Sequence, residues 1–460
     1  MKVLHVSQTL LRWAGIDRAV AYTLLGRIWG LAAGLASLVL ISEFLSKEEQ
    51  GFYYTFSSIL ALQVLFDLGL AYVILQFASH EMRELSLGSN RVLKGNVKAK
   101  ARMASLLRFA VRWYAVVAGL TALVIIPAGL YFFGTSEGNG ACAAWRVPWT
   151  LLGVMTAGLL FASPLSAIVE GTGQVADVAL MRTVQNVVSS TALWAALLLG
   201  WKLYAASICA AARLLCVFAW LSGRYGGFLQ DLFAAGHPDG QIGWRREIWP
   251  FQWRIGVSWL SGYFIGQLFN PIMFAFHGAV AAGQMGMSLA VAGGVSSIAL
   301  AWVNTKAAPF GQMIARRDFQ QLDRTFFRCL WQSCAMVALV SAGAFLAVLY
   351  LRSIHHPFAQ RVLDPLPFGL ILLTMVLNHV VVSEAIYLRA HKEEPFLWTA
   401  VAIGALTALS AYLVGRPCGA LGMAIAYLTV NLVVGLGVGS VIFVKKRRLW
   451  HGPEHECVLP

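Results

Sequence analysis

Charge is what this chain has least of. Only 12% of its 460 residues are Asp, Glu, Lys or Arg, about half the share found in a soluble protein. Acidic residues are the scarcer sign, 21 against 35 Lys and Arg. Long uncharged runs separate short polar islands, and mean hydropathy is +0.69. Runs of about 20 apolar residues cross a hydrocarbon core as a helix, so the class is an all-α polytopic membrane protein. The period-two alternation of a membrane β-barrel is missing. The first 21 residues, MKVLHVSQTLLRWAGIDRAVA, lack the uninterrupted apolar core and cleavage site of a signal peptide. Val3, Leu4, Leu10, Leu11 and Trp13 there suggest a short interfacial helix.

Catalytic and metal signatures are also missing. Seven cysteines occur without a CxxC pair and mostly inside apolar runs, where they read as small buried hydrophobes. Cys142 and Cys418 fall in loops on one side, which leaves one disulfide open to them. GTGQVA at 171–176 matches a dinucleotide fingerprint but follows a membrane span rather than a strand. HGPEH at 451–455 has the letters of a zinc motif, yet Gly452 and Pro453 forbid the helix that would align its histidines. The adjacent His355 and His356 diverge in a loop. With no Walker A sequence and no nucleophile–base arrangement, the expectation is no metal, no cofactor and no enzymatic activity.

About 12 spans are expected, at 22–45, 52–78, 107–133, 149–169, 178–200, 203–222, 253–276, 282–305, 325–351, 368–388, 397–414 and 419–444. Loops on the side of the two termini then hold 22 Lys and Arg and the opposite loops six. The positive-inside rule puts both termini in the cytoplasm. RVLKGNVKAKARMASLLR and KKRRLW are juxtamembrane clusters facing anionic lipid, so the net charge of +14 needs no nucleic acid. The polar loop 223–252 divides the chain into a six-helix lobe (1–222, with the interfacial N-terminal helix) and a second six-helix lobe (253–444), followed by a basic cytoplasmic tail (445–460). The lobes echo one another in GRIWGLAAG and WRIGVSWLSG, each with an Arg-Ile pair, at Arg27 and at Arg254. Such repeats mark transporters whose substrate site lies between the halves.

Polar residues inside spans usually face a bundle interior or a wet cavity. The first span carries Arg27 beside the stripe Gly26, Gly30 and Gly34, which invites a close neighbouring backbone. The second carries Gln63 and Asp67 one turn apart. Arg27 and Asp67 lie at comparable depth, and an ion pair between them is expected. Arg182 with Asn186 and Ser189, Arg213, the stripe Tyr263, Gln267, Asn270, Phe274 and His277, and the group Asn378, His379, Ser383 and Glu384 complete a polar set. Arginines outnumber what a cation binder would want, and arginine suits phosphate geometry.

EEQGFYYTFSSILALQVLFDLGL, AGQMGMSLAV, AWVNTKAAPFGQMIA and YLRAHKEEPFL resemble Wzx-type polysaccharide flippases, the polysaccharide transporters of the multidrug/oligosaccharidyl-lipid/polysaccharide superfamily. The resemblance implies a V-shaped, MATE-like pair of bundles in the bacterial inner membrane. It implies transport of a polyprenyl-diphosphate-linked oligosaccharide to the periplasmic leaflet for O-antigen or capsule assembly, among membrane lipids and other polysaccharide-assembly proteins. The diphosphate role falls to Arg27 and Arg254, with Arg182, Arg213, Gln63, Gln267 and Asn270 lining the cavity. Asp67, His379 and Glu384 are the candidates for coupling. The rivals are a multidrug or cation antiporter of the same fold, a membrane-embedded glycan ligase or polymerase, and a non-transporting envelope-assembly subunit. For the ligase, the longest loop opposite the termini, 352–367, is short.

Overall fold

In lipid a backbone must satisfy its own hydrogen bonds, and helices do so within one segment. A computed structural model describes residues 18–88, 91–135, 144–235, 243–391 and 393–451, and they are overwhelmingly helical. The expected interfacial helix before residue 18, Cys142 with its disulfide to Cys418, part of the 223–252 linker and the HGPEH stretch after His451 lie outside the described residues.

Helix α1 is Arg18–Phe44, and α2 is a bent pair, Lys47–Asp67 and Leu70–Glu81. A two-stranded hairpin, β1 (Leu85–Leu87) against β2 (Leu93–Gly95), interrupts the expected loop. Then follow α3 (Val97–Thr135), α4 (Arg146–Gly171), α5 (Val175–Leu198) and α6 (Tyr204–Ala234). Helix α7 begins as Trp249–Gly266 and resumes at Phe269. Gly278, with φ 83°, divides the stretch Phe269–Asn304, so α7 ends at 277 and α8 is 279–304. A short helix, Ala307–Ala315, precedes α9 (Phe319–Ser353) and α10 (Pro365–Ala390). Gly419, with φ 60°, makes the second such turn, between α11 (397–418) and α12 (420–451). Both turns need backbone conformations that L side chains rarely adopt. Among the described residues this gives twelve helices long enough to span. The chain has the all-α polytopic architecture expected.

Two compact units divide the chain, Met1–Leu45 with Ile59–Trp259, and Ser46–Ser58 with Leu260–Pro460. The core of the first joins the second limb of α2 (Leu70, Val73, Ile74, Ala78) to α3, α4 and α6, with Tyr114, Val169, Tyr225 and Phe228 buried. At its loop end Arg102 bridges Glu81 (2.8 Å) and Glu247 (2.7 Å), tying α2, α3 and the segment before α7. The guanidinium holds the Glu247 carboxyl below its ordinary range. In the second unit Phe310, Phe326, Tyr387 and Phe443 cluster around α9, α10 and α12, and Asp323 takes the Arg447 guanidinium (2.6 Å) and the Tyr387 hydroxyl (2.8 Å). The first turns of α2 lie against α8. A Cβ on Gly51 would stand 1.9 Å from the Ala279 carbonyl oxygen, and the Gln50 amide donates to the carbonyls of Gly283 (2.8 Å) and Arg361 (3.0 Å). Leu123, Leu215 and Leu339, each at least 70% exposed, are the kind of side chain a lipid-facing surface carries.

Of the stripe in α1, only Gly26 meets a neighbour, with Thr183 Oγ1 2.7 Å from where a Cβ would be; Gly30 and Gly34 border open space.

Gly51→Ala forces backbone against backbone and should lower stability by about 1–3 kcal/mol, read as a fall in apparent melting temperature in detergent. Because the Glu247 carboxyl is depressed by Arg102, their bridge stabilises above the ordinary carboxylate range and is lost as pH falls through the depressed value. Arg102→Gln should therefore flatten the acid limb of the stability–pH curve while leaving its alkaline limb in shape.

Candidate functional site

The run LALQVLFDLGL is where a membrane helix fails and is repaired. After Leu60 the helix tightens through Ala61–Gln63, resumes at Val64–Asp67, and breaks at Leu68 (φ 47°) and Gly69 (φ 68°), both left-handed. The limbs on either side are bent by 46°. A left-handed leucine costs about 1–2 kcal/mol, so the break must be held from outside. Asp67 holds it. Its buried carboxylate accepts from the Tyr114 hydroxyl of α3, and the Gly69 N–H is a second donor. Gly69 and Leu68 in turn pack on Ile255 and Gly256 of α7, a Cβ on Gly69 falling 2.6 Å from Ile255 Cγ2.

The expected Arg27–Asp67 ion pair does not form. Arg27 is exposed on α1 and has no carboxylate partner among the described residues, because the break turns Asp67 toward α3 rather than α1. Tyr114 is a residue that sequence reasoning missed. The signal that could have found it is a phenol within the expected span 107–133, whose hydroxyl needs a partner when buried.

Helix α7 breaks in the second unit, at Gln267 and Leu268. Pro271 lies four residues on and cannot donate to the Gln267 carbonyl. The Asn270 amide donates to Ser58 Oγ (3.0 Å) and the Tyr263 hydroxyl to the Ser58 carbonyl (3.4 Å). Asn270 Oδ1 is buried without a hydrogen-bond partner, as is Gln63 Oε1 in α2. Gln267 is half-buried, its backbone N–H bonded to the Tyr263 carbonyl. At the far end of the stripe His277 Nε2 lies 2.9 Å from the Gly415 carbonyl, stapling the α7–α8 turn to α11.

On α10 the two titratable candidates address different helices. His379 Nε2 meets Ser333 of α9 at 2.8 Å, and Glu384 Oε1 accepts from Ser440 of α12 at 2.9 Å. Each keeps one buried atom without a partner, His379 Nδ1 and Glu384 Oε2. They are not bonded to each other, and Asp67 belongs to the other unit.

The arginines separate by partner. Arg182 is spent on Glu170 (2.7 Å). Arg213 is exposed near the middle of α6, accepts at its carbonyl from Gln185 (2.9 Å), and like Arg27 has no carboxylate partner among the described residues. The Arg254 side chain lies outside the described residues. Helices α1, α5 and α6 pack in sequence, through Thr183 Oγ1 on the Tyr22 carbonyl (2.9 Å), Trp29 Nε1 on Ser190 (3.0 Å) and Gln185 on Arg213. Arg27 and Arg213 thus stand uncompensated roughly 13 Å from the nearer ends of α1 and α6, and Arg112 of α3 is likewise exposed with no carboxylate partner among the described residues.

No family model matches the chain, and no curated protein does. Solved structures do match in fold. An inward-facing multidrug resistance MATE family transporter of the MOP superfamily aligns over 93% of this chain and 100% of its own, at TM-score 0.58 and 13% identity. The MATE multidrug transporter DinF-BH gives 0.59 and 12%, covering 94% and 96%. The lipid II flippase MurJ in an inward closed conformation gives 0.54 and 12%, covering 94% and 89%. At such identities the likeness is one of fold, and the chain has the MATE-like fold.

Asp67→Ala leaves the Tyr114 hydroxyl and the Gly69 N–H unpaired in a buried site, which should cost about 1–3 kcal/mol. Asp67→Asn keeps an acceptor for both and should hold the apparent melting temperature close to that of the parent.

Proposed function

We propose that the chain carries a polyprenyl-diphosphate-linked oligosaccharide from the cytoplasmic to the periplasmic leaflet of a bacterial inner membrane by alternating access, for surface-polysaccharide assembly. The observation that carries this reading is the pair Arg27 and Arg213. Each is exposed within a membrane-length helix with no carboxylate partner among the described residues. An arginine facing hydrocarbon costs at least about 2.5–3.5 kcal/mol. Such a position is sustained by water and by an anion, and a diphosphate matches the guanidinium fork. In this reading Arg27 and Arg213 take the diphosphate, joined by Arg254. Gln63, Gln267 and Asn270, two of them with an unmet buried oxygen, offer hydrogen bonds to sugar hydroxyls. Arg182 holds Glu170 instead. The excess of Lys and Arg on the side of the termini supports placing that side in the cytoplasm.

One observation favours a second reading, a multidrug or cation antiporter. Asp67 and Glu384 are buried carboxylates with no cationic partner among the described residues, and a cation or a proton can exchange at such groups.

Proteoliposomes separate the two. With a fluorescent prenyl-diphosphate glycolipid, the parent should move headgroups between leaflets, and Arg27→Ala with Arg213→Ala should slow this about tenfold or more, each removing a charge-assisted contact. Export of cationic dyes that resists both arginine changes and is lost in Asp67→Asn or Glu384→Gln, with no glycolipid movement, would establish the antiporter instead.

A further inference from the structure

A second cationic site lies in the other unit, built from residues that the sequence offers only as juxtamembrane charge. At the end of α8 the chain turns through Thr305 and Lys306. There a cavity of about 580 Å³ is lined by Trp302, Thr305 and Lys306 on one side and by Arg324, Thr325, Arg328, Cys329 and Gln332 of α9 on the other. Arg324 and Arg328 are four apart and share a helix face. Three cations line the cavity and no carboxylate does. The nearby acids are committed elsewhere, Asp323 to Arg447 and Tyr387, and Asp318 to the Gln321 N–H (3.0 Å) at the start of α9. Lys306, Arg324 and Arg328 make no ion pair among the described residues.

Depth identifies what reaches this cavity. From Cys329 to Leu351 α9 carries no charge, a length of about 34 Å that fills a hydrocarbon core of about 30 Å. Arg324 and Arg328 therefore stand just beyond the core, at the level of lipid headgroups. Trp302 is 43% exposed and Trp331, three residues past Arg328, is 76% exposed, as expected of aromatics at a membrane interface. Thr305, Thr325 and Gln332 add neutral hydrogen-bonding groups, suited to the ester and glycerol oxygens around a phosphate.

We propose that this cavity binds the phosphate headgroup of an anionic membrane phospholipid, at a site separate from Arg27 and Arg213 and independent of whether the transported molecule is a glycolipid or a drug. The chemistry is a phosphate held by one lysine and two arginines, with the acyl chains left in the bilayer beside Trp331.

The test is a titration of the purified full-length protein in neutral detergent with phosphatidylglycerol, phosphatidylcholine or inorganic pyrophosphate, read by native mass spectrometry. Phosphatidylglycerol should bind in preference to phosphatidylcholine. Each removed charge should weaken it roughly five-fold, so Lys306→Gln loses about five-fold and Arg324→Gln with Arg328→Gln about 25-fold, while Lys202→Gln with Arg416→Gln, in loops expected on the opposite side, leaves it unchanged. Equal binding of the two lipids, or a loss in the Lys202/Arg416 control as large as in the cavity variants, overturns the proposal. So does cavity-dependent binding of pyrophosphate without binding of phosphatidylglycerol, which would make the occupant a soluble phosphate. Should the double variant not fold, the single Lys306→Gln and the lipid comparison decide alone.

Discussion

Every departure from helix within this membrane protein has to find new partners for the backbone groups it frees, because hydrocarbon supplies none. That constraint organises the polar residues more than any single reaction does. At Leu68 and Gly69 the repair is a carboxylate, Asp67, shared between the Gly69 N–H and the Tyr114 hydroxyl. Beside Gln267 and Leu268 the amide of Asn270 and the phenol of Tyr263 both reach Ser58 of α2. At the turn through Gly278 an imidazole, His277, meets the Gly415 carbonyl. A buried polar side chain next to a helix break is thus first a tie that holds the break in place. What it does beyond that depends on the atoms left over, such as Asn270 Oδ1.

Two of the three places where the chain passes between the units lie near these breaks. Helix α2 passes from the second unit to the first at Ser58 and Ile59, and α7 passes the other way at Trp259 and Leu260. Both crossings fall within ten residues of a break, one before Leu68 and one before Gln267. A continuous α-helix transmits rotation along its length, whereas a left-handed pair or a proline-opened turn absorbs it. The two helices in which the chain passes between the units each carry such a break, held in α2 by Tyr114 of α3 and in α7 by bonds from its own Tyr263 and Asn270 to Ser58.

Much of this was legible in the residues. The division into spans follows largely from apolar length, and Gly278 falls where a loop between spans is expected, with Gly419 at the start of the expected twelfth span. Gln63, Asp67, Gln267 and Asn270 stand out as polar residues in spans, and they do cluster at breaks. The partners were not legible. Depth along antiparallel helices suggests Arg27 for Asp67, but a 46° bend beginning at the next residue, Leu68, changes the direction in which the Asp67 side chain points. The glycine stripe of α1 misleads for a related reason. Small residues every fourth position permit close packing without requiring it, and only Gly26 has a neighbour to pack against. Lys306, Arg324 and Arg328 were invisible as a site, since they come from a turn and from the first turns of α9, with Lys306 and Arg324 reading as ordinary loop charge.

Pairing, rather than the count of charges, is what sets the cations of this chain apart from one another. An excess of 14 positive charges is ordinary for a membrane protein with basic juxtamembrane clusters. The informative fact is how the few acids are used. Glu170 neutralises Arg182, Glu81 and Glu247 share Arg102, Asp323 takes Arg447, and Asp67 goes to a phenol rather than a cation. Acids are committed to cations at helix ends and withheld from those at mid-helix in α1 and α6 and around the cavity at the α8–α9 turn. An unpaired guanidinium in a low-dielectric setting is the costlier state, so a cation left without an acid gains most from an anion that is not part of the chain. Such places occur among the described residues of both units. A moving headgroup would meet Arg27 and Arg213 in transit, whereas a resident lipid at the cavity of the α8–α9 turn would hold α8 and α9 to the bilayer surface.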